Sequence, residues 1–249
     1  MSGRASPRGT DGPASARWAG RRFYEPPYVR TNVLFFDWVR SRLKPTDTVL
    51  DAGAGLTPGD PARNLRGTVA KVCGIDVDEA VLTNDALDEA RVVRGDRWPY
   101  PDASFDVVLS DYVLEHLEFP DTYVAEVRRV LKSGGFFFFR TVNAHHPISV
   151  LVRLVPFALR SCLIRRFNPG SADAHEPYTT YFRANTRTRV VRLLRQGGFR
   201  NVDLRAREEP PIYLAAAGPG ALVGVLWERV ANECPFLAPL RVTLYGCAR

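Results

Sequence analysis

Cysteine is scarce in this sequence, and the few cysteines form no ligand or disulfide pattern. The four are Cys73, Cys162, Cys234 and Cys247, and no two of them make a C-x-x-C pair. This spacing speaks against a zinc site or a disulfide framework, so we expect reduced thiols and no bound metal. An apolar core long enough for a secretory signal is also missing from the first residues, which predicts a cytoplasmic location.

Large apolar side chains are nearly absent from residues 1–20, which consist mostly of Gly, Ser, Ala, Pro and Arg. Such a segment cannot bury enough surface to fold alone, so we predict a disordered tail. The chain of 249 residues is 45% hydrophobic and 24% charged, which is typical of a globular domain. Its net charge of +7 permits an anionic substrate or surface. No basic stripe is interleaved with stacking aromatics, so we predict no nucleic-acid partner.

Two apolar runs that each end on an acid are the most informative feature of the chain. The first run ends on Asp51 and is followed by the small residues 52–55, and a second run, 69–75, ends on Asp76. The two acids are about 25 residues apart, which suits two parallel strands joined by a crossover. In such sheets ligands bind at the carboxyl ends of the strands, where an acid accepts hydrogen bonds from a ribose. The sequence therefore predicts an adenosine-containing cofactor.

The glycines of the first turn separate two classes of nucleotide-binding protein. A dinucleotide fold requires G-x-G-x-x-G, but the third glycine position counted from Gly53 holds Pro58. A nicotinamide oxidoreductase is therefore disfavoured. The pattern instead resembles motif I of class I S-adenosylmethionine-dependent methyltransferases, an acid followed by alternating glycines. Here these are Asp51, Gly53 and Gly55, with Thr57 where a third glycine often lies.

Three further blocks extend this resemblance. After LDAGAG come GID, GDRWPYPDASFDVVLSDYVLEHL and EVRRVLKSGGFFFF, in the order found in methyltransferases that resemble the ubiquinone-biosynthesis type. The resemblance covers about Leu50 to Asn143. It implies an α/β fold with a doubly wound, seven-stranded, mostly parallel sheet, Rossmann-like, whose last strand is antiparallel. It also implies S-adenosylmethionine as the cofactor.

The resemblance assigns roles to individual residues. Asp51 would orient the cofactor's amino group through water, Gly53 and Gly55 would pass beneath its methionine part, and Asp76 would bind its ribose. The other cofactor-site residues are Ala52 in the turn, Val77 on the adenine, Asp96 at the adenine edge, Ser110 at the amino-acid end, and His116, which with Glu115 would support the site. Next to Asp96, the backbone amide of Arg97 could also donate to the adenine.

An aromatic and basic segment precedes the first strand. Tyr24, Tyr28 and Arg30 could close over the cofactor, with the Arg30 guanidinium meeting a carboxylate. Packing or solvent exposure is the alternative for each of the three. Arg30 is therefore a further candidate cofactor-binding residue.

The end of the predicted fifth strand faces the same crevice. Methyl transfer from a sulfonium is an in-line displacement, which mainly requires that donor and acceptor are held close in a site shielded from water. A base is needed when the acceptor must lose a proton. Asn143, His145 and His146 are placed to contact an acceptor, and the two histidines are the candidate catalytic residues. A capping or solvated role is the alternative for each histidine.

The chain divides into a tail, a cap and one domain. Residues 21–46 contain a cap helix, and residues 47–249 form the methyltransferase domain with a lid insertion at about 144–184. Within it, 147–167 carries four arginines and no acid, and Pro156 interrupts it, which speaks against a membrane span. A lid over the pocket and a peripheral contact with anionic lipid at the inner membrane face are two compatible interpretations.

These features together predict an enzyme that transfers a methyl group from S-adenosylmethionine. The expected acceptor is a small molecule or a lipid- or sugar-linked compound, with oxygen favoured as the acceptor atom. The alternative from another class is a non-catalytic cofactor-binding or membrane-associated scaffold protein. The sequence predicts no particular acceptor and no oligomeric state.

Overall fold

The computed structural model describes residue 24 and residues 30–57, 59–154, 179–210 and 220–249. The strands are β1 Thr48–Ala52, β2 Lys71–Asp76, β3 Glu89–Val92, β4 Phe105–Asp111, β5 Leu131–Val142, β6 Val202–Arg207 and β7 Thr243–Ala248. The α-helices are α1 Thr31–Arg40, α2 Pro120–Val130, α3 Pro147–Leu154, α4 Arg187–Gln196 and α5 Gly220–Glu233. Short 3-10 helices are Pro61–Arg63, Glu79–Thr83, Leu114–His116 and Pro235–Leu240.

The strands form one sheet in the order β3-β2-β1-β4-β5-β7-β6. The chain proceeds outward from β1 to β3 and then returns to β4, so the winding direction reverses between β1 and β4. Both β2 and β4 pair with β1 in parallel, whereas β7 runs antiparallel to β5 and to β6. The predicted doubly wound sheet with an antiparallel last strand is therefore confirmed. Ligands of such sheets bind at the reversal point.

Alternate residues of the central strands fill two cores, one on each face of the sheet. Leu50 and Val108 belong to the core that α2 and α4 cover. Val49 and Val107 belong to the core that α1 covers. Because both faces are buried, these parallel strands are apolar at successive positions, which is why the sequence shows unbroken apolar runs. Each such buried side chain stabilises the fold by about 1.5–3 kcal/mol.

Two helix N-caps differ from those that the sequence pattern predicts. The pattern favours Asp121 as the N-cap of α2 and Asn185 as the N-cap of α4. Helix α2 begins at Pro120 without a side-chain cap bond, and Asp121 lies in its first turn. Proline has a preset φ that suits the first helical position, and an acid in the first turn still interacts favourably with the helix dipole. In α4 the cap is Thr186, whose hydroxyl accepts from the backbone N–H of Arg189.

The fifth strand is longer than its apolar core. The pattern predicts that 132–135 ends the preceding helix and that 136–139 forms the strand. Instead β5 begins directly after α2, at Leu131, which pairs with Phe105 of β4 before the register shifts. The tight helix-to-strand connection comes from this pairing, which the local sequence does not reveal.

Several predictions lie outside the described residues. These are the disordered tail at 1–20, the contact of Tyr28 and the part of the predicted lid at 155–178. Within the ranges that the structure describes, no helix has the length and apolar character needed to cross a bilayer.

Candidate functional site

A cavity of about 710 Å³ opens where β1, β2 and β4 end. It lies at the point where the winding of the sheet reverses. Its volume is in the range of typical small-ligand sites. The predicted cofactor residues that line it are Ala52, Gly53, Gly55, Asp76, Val77, Asp96 and His116.

The turn after β1 is held against the neighbouring strand. The backbone N–H groups of Gly53 and Ala54 donate to the carbonyl of Ile75 at 2.8 and 3.1 Å. Gly53 has a φ of +87°, and a Cβ there would lie 2.2 Å from Val113 Cγ2. Both the backbone conformation and the available space therefore require glycine, which keeps the backbone accessible to a ligand.

Asp76 ends β2, and backbone amides hold both of its carboxylate oxygens. Oδ2 accepts from the Gly55 N–H at 2.9 Å, and Oδ1 accepts from the Asp78 N–H at 3.0 Å. Each carboxylate oxygen can accept more than one hydrogen bond. Asp76 is therefore held in one orientation at the cavity wall, where it can accept from neighbouring hydroxyls of a ligand.

Asp51 lies beside the same turn with its Oδ1 atom buried. Within the described part of the chain, that oxygen accepts no hydrogen bond. Burial raises the pKa of the Asp51 carboxyl to about 7, Arg63 acts in the opposite direction, and the carboxylates of Asp111 and Asp76 add to the rise. A buried carboxyl with a raised pKa is stabilised when a cationic group of a ligand, or a bridging water, donates a hydrogen bond to it.

Sequence reasoning missed a buried ion pair next to Asp51. Arg140 donates through Nε and Nη2 to the two carboxylate oxygens of Asp111 at 2.6 and 2.9 Å. Arg63 Nε lies 3.3 Å from Asp111 Oδ2. One feature of the sequence could have indicated this ion pair. Arg140 interrupts the apolar run of β5 and lies opposite Asp111, the acid that ends β4. The two guanidinium groups offset the negative charge that Asp51, Asp76 and Asp111 would otherwise accumulate.

Ser110 is fully buried, and a hydrogen bond connects it to Tyr123, which lines the cavity. Its Oγ lies 2.6 Å from Tyr123 Oη, and that hydroxyl donates to the carbonyl of Ala52 at 3.3 Å. Tyr123 lines the cavity, whereas Ser110 is not among the lining residues. Burial raises the pKa of Tyr123, so it stays a neutral donor. Sequence reasoning counted this tyrosine as part of a helix and not as part of the site.

The wall after β4 is largely apolar and aromatic. It includes Tyr112, Phe119 and Tyr181, together with His116. His116 Nδ1 lies 3.0 Å from the carbonyl oxygen of Thr179. Since a carbonyl can only accept, Nδ1 carries a proton, and Nε2 is the nitrogen that accepts in the neutral form of the ring.

Glu115, the neighbour of His116, is buried behind this wall. Its Oε2 accepts from the Thr141 hydroxyl at 2.7 Å, and Asn185 donates to the same hydroxyl at 2.6 Å. The backbone carbonyl of Glu115 accepts from the Tyr181 N–H at 2.8 Å. Burial raises the pKa of the Glu115 carboxyl. These bonds fix the segment that carries His116 and Tyr181.

The remaining predicted cofactor residues lie at or beyond the rim. Val77 is exposed at the mouth of the cavity, and Asp96 lines it as an exposed residue. The Arg97 side chain is exposed and lies 3.7 Å from Asp102. Arg30 is exposed just before α1 and is not among the lining residues. The structure does not bring Arg97 or Arg30 to the cavity.

The two candidate catalytic histidines also lie away from the cavity lining. His145 is exposed, and its backbone N–H donates to Asn143 Oδ1. His146 is fully buried, with Nε2 3.3 Å from Glu208 Oε1. The reason is that the chain turns directly after β5 and Pro147 begins α3, which places His146 beside the residue that follows β6. Asn143 is likewise engaged with the carbonyls of the segment before β7.

The residues around the cavity fit S-adenosylmethionine. Backbone amides orient Asp76 at the cavity wall, where the hydroxyls of a ribose would meet it. Asp51, which does not line the cavity, has a buried oxygen that accepts nothing from the described residues, and a side chain at Gly53 is excluded by Val113. An acid of this kind suits the positive charge of an amino group or sulfonium. The agreement rests on three independent features of the turn and strand ends.

The fold and this site are similar to those of class I methyltransferase domains. More particularly, residues 50–139 match the family described as "Methyltransferase domain". The predicted resemblance to S-adenosylmethionine-dependent methyltransferases is thereby confirmed.

Curated relatives carry related names. Over 137 residues the chain is 32% identical to a ubiquinone biosynthesis O-methyltransferase of Thiobacillus denitrificans, a match that covers 51% of this chain and 58% of that protein. Over 106 residues it is 35% identical to a sterol 24-C-methyltransferase of Gibberella zeae, covering 38% of this chain and 27% of that protein. The chain thus spans less than two thirds of the length of these relatives.

Solved structures share the fold at low sequence identity. Phosphoethanolamine N-methyltransferase 2 of Haemonchus contortus, in complex with S-adenosyl-L-methionine, superposes with a TM-score of 0.55 at 16% identity, over 94% of this chain and 55% of that one. The [4+2]-cyclase SpnF superposes with a TM-score of 0.54 at 20% identity, over 87% and 80%. At these identities the likeness establishes the fold.

Proposed function

We propose that this protein transfers a methyl group from S-adenosylmethionine to a small-molecule or lipid-linked acceptor. The observation that carries the proposal is the cavity at the sheet reversal, which Asp76 and the Gly53 turn line and behind which Asp51 is buried. S-adenosylmethionine, when bound, supplies an electrophilic methyl group on a sulfonium. The residues of this chain bind and orient it and exclude water, which is most of what a displacement of this kind requires.

The wall after β4 supports an apolar acceptor. Val113, Leu117, Phe119 and Tyr181 line that side of the cavity and present little charge. The names of two curated relatives point the same way, since they refer to ubiquinone and a sterol. A lipid or a lipid-linked headgroup is therefore the acceptor class that we propose. The predicted membrane contact through 147–167 lies mostly outside the described residues and stays a prediction.

For an oxygen acceptor, the proposal assigns the base to His116. The Thr179 carbonyl fixes the proton on Nδ1, so Nε2 is the nitrogen that would accept the proton of the acceptor hydroxyl. We expect His116→Gln to lower kcat by about 100-fold or more with little change in KM. The exposed His145, changed to Gln, is the matched control and should keep its activity. If His145→Gln loses activity and His116→Gln keeps it, the base is to be sought among the histidines after β5.

The first experiment is a calorimetric titration with S-adenosylhomocysteine, with NAD as the control ligand. Micromolar binding of S-adenosylhomocysteine alone is expected, and binding of neither would contradict the proposal. A non-catalytic or differently catalytic cofactor-binding protein is the second candidate, because a protein named as a [4+2]-cyclase has this fold. Tight binding without methyl transfer to any quinol, sterol or ethanolamine-headgroup acceptor would favour it.

A further inference from the structure

Tyr112 has a backbone conformation that residues other than glycine rarely adopt. Its φ is +59°, and the residue comes directly after β4 and lines the cavity. The left-handed conformation is unfavourable for a residue with a Cβ, and it is uncommon for a bulky side chain. Glycine would adopt the same conformation at little cost. A tyrosine at this position therefore indicates that the side chain has a role beyond forming the turn.

Contacts from two other strands hold the Tyr112 side chain in place. The guanidinium carbon of Arg140, on β5, lies 4.7 Å from the centre of the ring. Tyr112 Oη lies 3.2 Å from Thr243 Oγ1, at the start of β7. Because the Thr243 hydroxyl donates to Glu209 Oε1 at 3.3 Å, Tyr112 is the donor in its bond to Thr243. Burial raises the pKa of Tyr112 to about 12, so its hydroxyl keeps the proton that this bond requires.

The topology of the sheet places Tyr112 on the side of the cavity away from the proposed nucleoside. Asp76 ends β2 and Asp96 follows β3, and both strands lie on one side of β1. Tyr112 follows β4, on the other side of β1, and its contacts reach β5 and β7. In a displacement at the sulfonium, the acceptor approaches the methyl group from the side opposite the leaving sulfur. The acceptor should therefore lie at the β4 side of the cavity, beside Tyr112.

We propose that Tyr112 contacts the methyl acceptor and determines which acceptors fit, an inference that rests on the proposed methyl transfer. A ring that is fixed in one position forms a rigid wall, which limits the positions that an acceptor can take relative to the methyl group. An acceptor whose apolar part packs on the ring is held at the position of attack. An acceptor with extra bulk on that side is excluded by the same ring.

A purely structural role would involve the backbone of Tyr112 alone. The turn brings Val113 against Gly53 and leads into the 3-10 helix Leu114–His116, which are parts of the cavity wall. Glycine would preserve this path, because it adopts a positive φ freely, but it would remove the ring. The change Tyr112→Gly therefore separates the two roles.

The test compares Tyr112→Gly with the unchanged protein in steady-state methylation of a panel of quinol, sterol and ethanolamine-headgroup acceptors. For the acceptor that the unchanged protein methylates best, we expect kcat/KM to fall by about tenfold or more, mainly through KM. Acceptors that carry an added substituent should gain relative to it. Affinity for S-adenosylhomocysteine in calorimetry should change by less than about threefold. The control is Ala103→Gly, at an exposed residue with a φ of +53° outside the cavity lining, which should leave KM unchanged.

A second measurement tests the anchoring of the ring. Tyr112→Phe and Thr243→Val each remove the hydrogen bond between the two side chains and keep their approximate shapes. Each should lower kcat/KM for the same acceptor by about threefold to tenfold. The double variant should lose less than the product of the two single losses, because both changes remove the same bond.

Unchanged acceptor kinetics in Tyr112→Gly would overturn the inference, since the backbone path alone would then explain this residue. A loss of S-adenosylhomocysteine affinity that matches the loss of activity would also overturn it, because Tyr112 would then belong to the cofactor part of the cavity. If Tyr112→Gly does not fold, losses that multiply in the double variant would have the same consequence. These results leave the proposed function in place. An unchanged protein that binds S-adenosylhomocysteine but methylates no acceptor of the panel would remove the proposed function and this inference together.

Discussion

Replacing Asp51 by Asn tests the electrostatics of the site without any ligand. The pKa of this carboxyl is about 7 in the folded protein, against 3.8 for an ordinary aspartate. The folded state therefore holds a proton that the unfolded state has lost, over the window from about pH 4 to pH 7. Because the folded state binds more protons there, the contribution of Asp51 to stability falls as the pH rises through the window.

The size of the effect follows from the two pKa values. Between pH 5 and pH 8 the contribution of Asp51 to the free energy of unfolding should decrease by about 2.5 kcal/mol. Asparagine has no charge at any of these pH values, so Asp51→Asn should lack this decrease and be the more stable protein at pH 8. The difference between the two proteins cancels the titration of the groups that do not interact with Asp51.

The assay is urea unfolding of both ligand-free proteins, followed by tryptophan fluorescence at intervals from pH 5 to pH 8. The same variant should bind S-adenosylhomocysteine more weakly at pH 8, since Asn offers no negative charge to an amino group. Identical pH dependence in the two proteins would refute the assignment of a raised pKa to Asp51. A variant that is more stable but binds its ligand more weakly is expected when the native side chain serves binding at a cost in stability.

Three other changes address separate parts of the site. Gly53→Ala should lower the melting temperature and abolish S-adenosylhomocysteine binding, whereas Gly59→Ala, at a glycine with open space around it, should do neither. Asp76→Ala should weaken S-adenosylhomocysteine binding by about 1.5–3 kcal/mol in calorimetry, and unchanged affinity would contradict the ribose role; the exposed Asp121→Ala is its control. Arg140→Met should lower the free energy of urea unfolding by about 3–5 kcal/mol, because it leaves a buried carboxylate short of its main partner; a loss under 1 kcal/mol would show that the pair is dispensable.

The fold could be predicted because its signals are local. Strand ends were marked by Asp51 and Asp76, the turn by Gly53 and Gly55, and the layers by unbroken apolar runs. The antiparallel final strand came from the family resemblance. Apart from that final strand, these features depend on residues close together in the sequence, and the structure reproduces them.

The parts that sequence reasoning missed depend on contacts between distant elements. The pair of Asp111 and Arg140 is set by the register of β4 against β5, which no single segment encodes. Tyr123 enters the site because of how α2 packs over β1. The position of His146 beside Glu208 joins residues about 60 positions apart, so the local pattern gave no indication that this histidine would be buried.

The place of β7 in the sheet has a consequence for how the protein is made. β7 lies between β5 and β6, although β6 is synthesised first. While the ribosome is still adding Thr243–Ala248, β6 has no strand to pair with and β5 presents an open edge. Nascent chains that stop short of β7 should therefore be the ones that chaperones bind and that aggregate through that edge.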